Sequence, residues 1–343
     1  MRRFSITTLS LLVLAAALGL DTGPADADSS VPPCPDLTLL FARGSDEHLA
    51  HRSRTQGETR SYLDQLESLL PGYAVNRYEL GSETHGGYRY RAFGIATLFG
   101  ASRSSFAQVI NSAIASILSA IRSGQPFRIR RILHNTELDL ARAIEALELS
   151  RYDDSVREGT GEMISYLEAR SARCPDEVFA VGGYSQGAHV VGRALFGLAP
   201  ETRARIAHVA LFADPKLYLP EGDSAESVER CATAVPGAVS IWRRGDVACS
   251  TSGGILSHGG LTVPDVRRRD PYLPPDIASR SGSWCDRRDG VCNGSLLDVV
   301  LDLRFDVSAR RFFFPAHGAY PERYFAAAAD EAAKRLEEAV ARS

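Results

Sequence analysis

Lysine is all but missing from this chain: Lys216 and Lys334 are the only two, so arginine carries nearly all the positive charge. With 39 basic against 42 acidic side chains the net charge is −3, which provides no basic field to hold a nucleic acid backbone. No Cys-x-x-Cys pair occurs, which removes the usual spacing of a zinc site, and no metal is expected. Beyond the first 27 residues no apolar run is long enough to span a bilayer. Internal repeats, low-complexity tracts and a composition shift marking a second domain are also absent.

What is present begins with the N-terminus. Arg2 and Arg3 precede an apolar stretch over residues 5–20, and Ala25, Asp26 and Ala27 supply a small-residue cleavage point. That order predicts a secretory signal peptide over residues 1–27 and an extracellular protein, with 28–343 as one exported domain. All six cysteines, Cys34, Cys174, Cys231, Cys249, Cys285 and Cys292, lie in the exported part. An even count there predicts three disulfides.

Short apolar runs alternate with helix-length periodic segments. Residues 37–45 (LTLLFARGS), 178–185 (VFAVGGYS) and 206–215 (IAHVALFADP) read as strands, with 73–80 and 238–246 as weaker ones. Residues 60–70, 153–173, 188–198 and 321–341 read as helices. Strands apolar on both faces and separated by helices predict an α/β fold with a mainly parallel sheet flanked by helices. Two regions do not fit a minimal unit of this kind. One, about 216–282, is rich in Pro, Gly, Asp and Arg and reads as long loops. The other, about 85–149, contains an amphipathic helix over 104–122, in which Phe106, Val109, Ile110, Ala113, Ile114, Ile117, Leu118 and Ile121 recur at helical spacing. Its other face is uncharged. The expectation is a helix packed on the sheet edge with its stripe in the core. The rival is a lid or lipid-docking surface formed by Phe106, Ile110, Ile114, Ile117 and Ile121.

Chemistry enters with Gly183-Tyr184-Ser185-Gln186-Gly187. A nucleophile must stand clear of a sheet on a sharp strand-to-helix turn, and flanking glycines let the backbone make it. The Gln186 N–H then points at a developing oxyanion, aided by the helix start. Two loops offer an acid, since Asp246 in RGDVAC and Asp289 in CDRRDGVC both stand in Asp-x-x-Cys. His317 in PAHGAY and His258 in SHGG are the candidate bases. An order Ser…Asp…His with Asp289 as acid leaves only His317 after it. Asp214 reads as a turn residue after its strand and His189 as a helix-face residue.

Taken together, CPDLTLLFARGSDE, CPDEVFAVGGYSQGAHVV, WCDRRDGVCNGS and HGAY before a terminal helix resemble the cutinase family of secreted serine esterases, actinobacterial cutinase-like lipases included. The resemblance implies an α/β-hydrolase fold with inserted helical and loop regions, Ser185 as nucleophile, and Ser45 with the Gln186 N–H as the oxyanion hole. It selects Asp289 over Asp246, because the family's acid is bracketed by two cysteines. A disulfide across so short a loop also holds a carboxylate where it must orient an imidazole. His317, ahead of the last helix, takes the place of the family's base. Cys34 with Cys174 and Cys285 with Cys292 are the pairs implied, leaving Cys231 with Cys249. The expected activity is hydrolysis of carboxylic esters, lipidic or polymeric, through an acyl-enzyme. No cofactor is expected, and the protein is expected to be a monomer with transient contact to lipid surfaces. The same triad in an acetylxylan esterase or acyltransferase is the nearest alternative. A non-catalytic secreted surface-binding protein is the alternative from another class.

Overall fold

The computed structural model describes residues 33–45, 57–81, 90–93, 103–145, 149–217, 254, 272–286, 289–292, 304–306, 311–313 and 315–342. The chain divides into two units, Met1–Pro33 and Cys34–Ser343, and every element named below belongs to the second.

Strands β1 (Leu37–Ala42), β2 (Val75–Leu80), β3 (Val178–Tyr184), β4 (Ile206–Phe212) and β5 (Ser281–Trp284) form a parallel sheet in the order β2-β1-β3-β4-β5. Every residue of β1, β3 and β4 is buried, which is why these segments read as unbroken apolar runs rather than alternating ones. The edge strand β2 is fully buried only in its second half, Tyr78 to Leu80.

The helices are α1 (Glu58–Ser68), α2 (Arg103–Arg122), α3 (Phe127–Glu145), α4 (Leu149–Arg173), α5 (Gln186–Gly197), α6 (Pro200–Ala204), α7 (Pro275–Ala278), α8 (Tyr320–Arg323) and α9 (Phe325–Val340). Helices α1 and α9 pack on each other and on the sheet, and α4 packs on α5, which itself lies on β1, β3 and β4. Strands buried on both faces require these two pairs to cover opposite sides. In α9 the buried residues Phe325, Ala328, Ala329, Ala332, Ala333 and Leu336 recur every three or four positions, the stripe of a helix laid on a sheet. Its Phe325 ring meets Phe212 at 4.7 Å and Tyr62 at 5.5 Å, joining α9, β4 and α1 through one aromatic cluster.

Several expectations are corrected here. Of the region read as long loops, Pro275–Ala278 is helical and β5 begins at Ser281, so the segment beside β4 is SGSW, too short and too small in its side chains to stand out by composition. The strand expected over 238–246 lies outside the described residues. A second helix, α3, follows α2, and a small antiparallel pair, β6 (Arg304–Asp306) with β7 (Arg311–Phe313), stands between the candidate acid and base in the chain. Among its described side chains, only part of the α2 stripe is covered, with Val109 packed on the core cluster. Val109, Ala113 and Ile117 are half-buried and Ala120 buried, while Ile114, Leu118 and Ile121 face solvent. The apolar stripe is two side chains wide, and α2, packed against α3, has only one of its two lines covered.

Candidate active site

The strand order reverses between β1 and β3: from β1 the chain moves outward to β2, and from β3 it moves the other way to β4 and β5. Crevices for ligands in open parallel sheets form at such a switch point, beyond the carboxyl ends of the strands. The segment Arg43-Gly44-Ser45 leaves β1 there, and Ser185 leaves β3 there.

Ser185 sits between β3 and α5 with φ 53° and ψ −118°, in the left-handed half of backbone space that a side chain rarely occupies. Its N–H is held by the carbonyl of Phe212 at 2.8 Å, so β4 braces the turn. The glycines are required by contact. A Cβ on Gly187 would stand 2.0 Å from the Ala42 carbonyl oxygen, and one on Gly183 would stand 2.5 Å from the Gly187 backbone. With both absent, α5 starts close enough to β1 for its first N–H groups to face the crevice. Gln186 is the first residue of α5, so its N–H has no acceptor within the helix.

His317 stands in a short 3-10 turn (His317–Ala319) ahead of α8. Its Nε2 is 2.9 Å from Ser185 Oγ, and its Nδ1 is 2.8 Å from Asp289 Oδ2. Ser185 and Asp289 are buried and the imidazole is mostly so. Asp289 is fixed from several sides: Oδ1 accepts the Val291 N–H at 2.9 Å, and Oδ2 accepts the Tyr320 hydroxyl at 2.9 Å as well as the imidazole. The Cys285–Cys292 disulfide closes the loop around it, and Cys34–Cys174 ties the chain ahead of β1 to the end of α4. Both pairs match the expectation, while Cys231 and Cys249 lie outside the described residues. Asp246 and His258, the rival acid and base, lie outside them as well.

Three tyrosines have roles that the sequence did not reveal. Tyr320 is fully buried, accepts the Asp286 N–H at 2.9 Å and passes its own proton toward Asp289. Burial first, and then the Asp289 charge, raise its pKa well above the usual 10, so the hydroxyl remains a donor. Tyr184, next to the serine, sets its ring 5.1 Å from the imidazole at a tilt of 32° and donates its hydroxyl to the His317 carbonyl. Tyr90 donates to the Arg43 carbonyl at 3.0 Å, steadying the segment that carries Ser45. The only trace of Tyr320 in the sequence is its place in HGAY, and the other two have no local signal because their partners are distant in the chain.

Ser45 Oγ donates to the Gln186 side-chain Oε1 at 3.5 Å. The same oxygen accepts the Phe93 N–H at 2.7 Å, so a buried amide links the β1 exit, the start of α5 and residues 90–93. Asp214 keeps its turn role: its carboxylate accepts the Lys216 N–H at 2.8 Å and the Tyr272 hydroxyl at 2.6 Å. His189 is buried on α5, with its Nδ1 3.2 Å from the Tyr152 hydroxyl.

Chemically, a hydroxyl on a strained turn, hydrogen-bonded to an imidazole whose far nitrogen meets a buried carboxylate, is an arrangement for nucleophilic attack on a carbonyl. The family model described as Cutinase matches residues 140–336. The chain belongs to the cutinase family. Among related cutinase-family proteins, a cutinase of Blumeria hordei is 32% identical over 101 residues, which is 29% of this chain and 39% of that one. Carboxylesterase Culp1 of Mycobacterium tuberculosis and Mycobacterium bovis is 26% identical over 259 residues, 74% of this chain and 87% of theirs. The solved structure of a cutinase-like protein from Cryptococcus sp. aligns over 90% of this chain and 96% of its own, at 16% identity and a TM-score of 0.44.

Proposed function

We propose that this cutinase-family protein hydrolyses carboxylic esters through Ser185, His317 and Asp289. The observation that carries the reading is the unbroken line from Ser185 Oγ through His317 to Asp289 Oδ2, with spacings of 2.9 and 2.8 Å. His317 Nε2 takes the serine proton as Oγ attacks the ester carbonyl. Asp289 holds the Nδ1–H and stabilises the imidazolium. The oxyanion of the tetrahedral intermediate is received by the Gln186 N–H and by Ser45, at the positive end of α5. As the intermediate collapses, the ester C–O bond breaks and the imidazolium gives its proton to the departing alcohol oxygen. Water, deprotonated by the same imidazole, then attacks the acyl-enzyme, and as the acyl C–Oγ bond breaks the imidazolium returns the proton to Ser185 Oγ and the acid leaves. All of these groups come from the chain, and the cycle is complete without a cofactor.

The substrate we assign is a lipidic or polymeric ester, a reading supported by the family and by the apolar side chains that α2 and α3 expose. Secretion is supported by the two disulfides among the described residues, which persist in oxidising compartments. No helix among the described residues is long and apolar enough to cross a membrane.

A fluorophosphonate probe should label the parent at Ser185 and leave Ser185→Ala unlabelled. Ser185→Ala, Asp289→Asn and His317→Gln should each lower kcat on a short soluble ester by about 10⁴ or more. Asp246→Asn and His258→Gln should leave kcat within a few-fold of the parent. Loss of turnover in Asp246→Asn and His258→Gln with retention in Asp289→Asn and His317→Gln would assign the acid and base to the other pair.

A further inference from the structure

Residues 90–93, ahead of the α2–α3 hairpin in the chain, and the first turns of α4, behind it, meet beside the candidate site. Phe93 donates its N–H to Gln186. Tyr152, in the first turn of α4, meets His189 on the helix that Ser185 opens. Arg151 stands over the Phe93 ring at 5.2 Å, and Ser155 donates to the Arg91 carbonyl at 2.6 Å. The segments that flank the hairpin in the chain therefore meet each other beside the crevice.

Its surface is unlike that of a helix facing water. Ile114, Leu118 and Ile121 form one line along α2 and are 51, 46 and 57% exposed, and Phe127 at the start of α3 is 76% exposed. The turn between the two helices carries Gly124 at φ 67°. Arg122 on α2 and Arg128, Arg130 and Arg131 on α3 are exposed. No Asp or Glu occurs anywhere from Thr84 to Thr136, in a chain whose net charge is negative. Exposed apolar side chains and arginines, with no acid before Glu137 midway along α3, are the pattern of a helix that lies in a lipid interface.

We propose that this hairpin docks the protein on a bilayer with anionic headgroups. Ile114, Leu118, Ile121 and Phe127 enter the acyl boundary, and Arg122, Arg128, Arg130 and Arg131 meet the headgroups. A second copy of the chain fits less well, since a two-fold axis through this face would bring arginines near that axis together. A soluble polyanion pairs with the arginines and leaves the Ile121 and Phe127 side chains in water.

The test is flotation of the full chain with vesicles of phosphatidylcholine alone and of phosphatidylcholine with phosphatidylglycerol. The parent should bind the anionic vesicles, with an affinity that falls as salt rises. Arg128→Gln/Arg130→Gln/Arg131→Gln should weaken binding roughly fivefold per arginine, about a hundredfold in all. Ile121→Asp/Phe127→Asp should weaken it at least about tenfold. These side chains are exposed, and both variants should keep the parent's circular dichroism and its turnover of a short soluble ester. Binding that survives both sets of changes overturns the proposal, as does a preference for neutral vesicles. So does a parent dimer in sedimentation that Phe127→Asp dissociates, which assigns the face to a second copy. Flotation needs no turnover, so Ser185→Ala should bind as the parent does, and failure of the esterase reading leaves this result standing.

Discussion

Asp289 accepts three hydrogen bonds from the backbone and side chains around it, and the Tyr320 hydroxyl is the one that ties it to the C-terminal helices. Tyr320→Phe removes that donor and leaves the buried Asp286 N–H without its acceptor. A buried polar group left unpaired costs about 1–3 kcal/mol, so the variant should unfold at lower denaturant. It should also lower kcat about tenfold with KM little changed, because the carboxylate can then turn away from the imidazole. Kinetics as in the parent, with only stability reduced, would make Tyr320 a packing residue and nothing more. Ser185 is the other residue whose surroundings set its use. It keeps a left-handed backbone because Gly183 and Gly187 allow β1, β3 and α5 to meet with no side chain between them.

At the scale of elements, the two disulfides do different work. Cys34–Cys174 closes a loop of 140 residues and limits the unfolded chain, worth about 5 kcal/mol on loop-entropy grounds. Cys285–Cys292 closes a separation of 7, worth about half of that, and encloses the candidate acid. Cys34→Ser/Cys174→Ser should therefore lower Tm steeply while molecules that remain folded keep their kcat. Cys285→Ser/Cys292→Ser should lower Tm less and kcat more. Mild reductant, for the same reason, should impair turnover before far-UV circular dichroism changes. Parallel loss of both signals throughout a reductant titration would argue that the acid loop keeps its shape without its bridge.

At the scale of the whole molecule, His208 links pH to the sheet. It lies wholly buried in β4, with neither ring nitrogen hydrogen-bonded. Burial, with help from the Arg335 charge, lowers its pKa from 6.5 to about 3. The native state holds this imidazole neutral while the unfolded chain protonates it below about pH 6.5. Stability from this group is complete above that pH and is lost as pH falls toward 3, by about 1.4 kcal/mol per pH unit. His208→Leu should flatten this part of the acid-unfolding profile, as read from urea midpoints between pH 7 and pH 4. Equal slopes in parent and variant would place the acid sensitivity elsewhere.

Much of this protein was legible in its sequence because the signals are local. Three strands buried on both faces must be apolar throughout, and a turn tight enough to present Ser185 must carry glycine at set offsets. The cysteines around Asp289 and the placing of His317 ahead of a helix were equally visible. What required the tertiary structure is everything made by groups distant in the chain. Tyr320, Tyr184 and Tyr90 act on partners brought to them by the sheet. The short strand SGSW is held by β4 rather than by its own propensity. The stripe of α2 announced an amphipathic helix, yet period alone cannot say what lies against it. Packing on α3 covers one line of side chains and leaves Ile114, Leu118 and Ile121 in solvent, because burial is a property of neighbours and not of the residue.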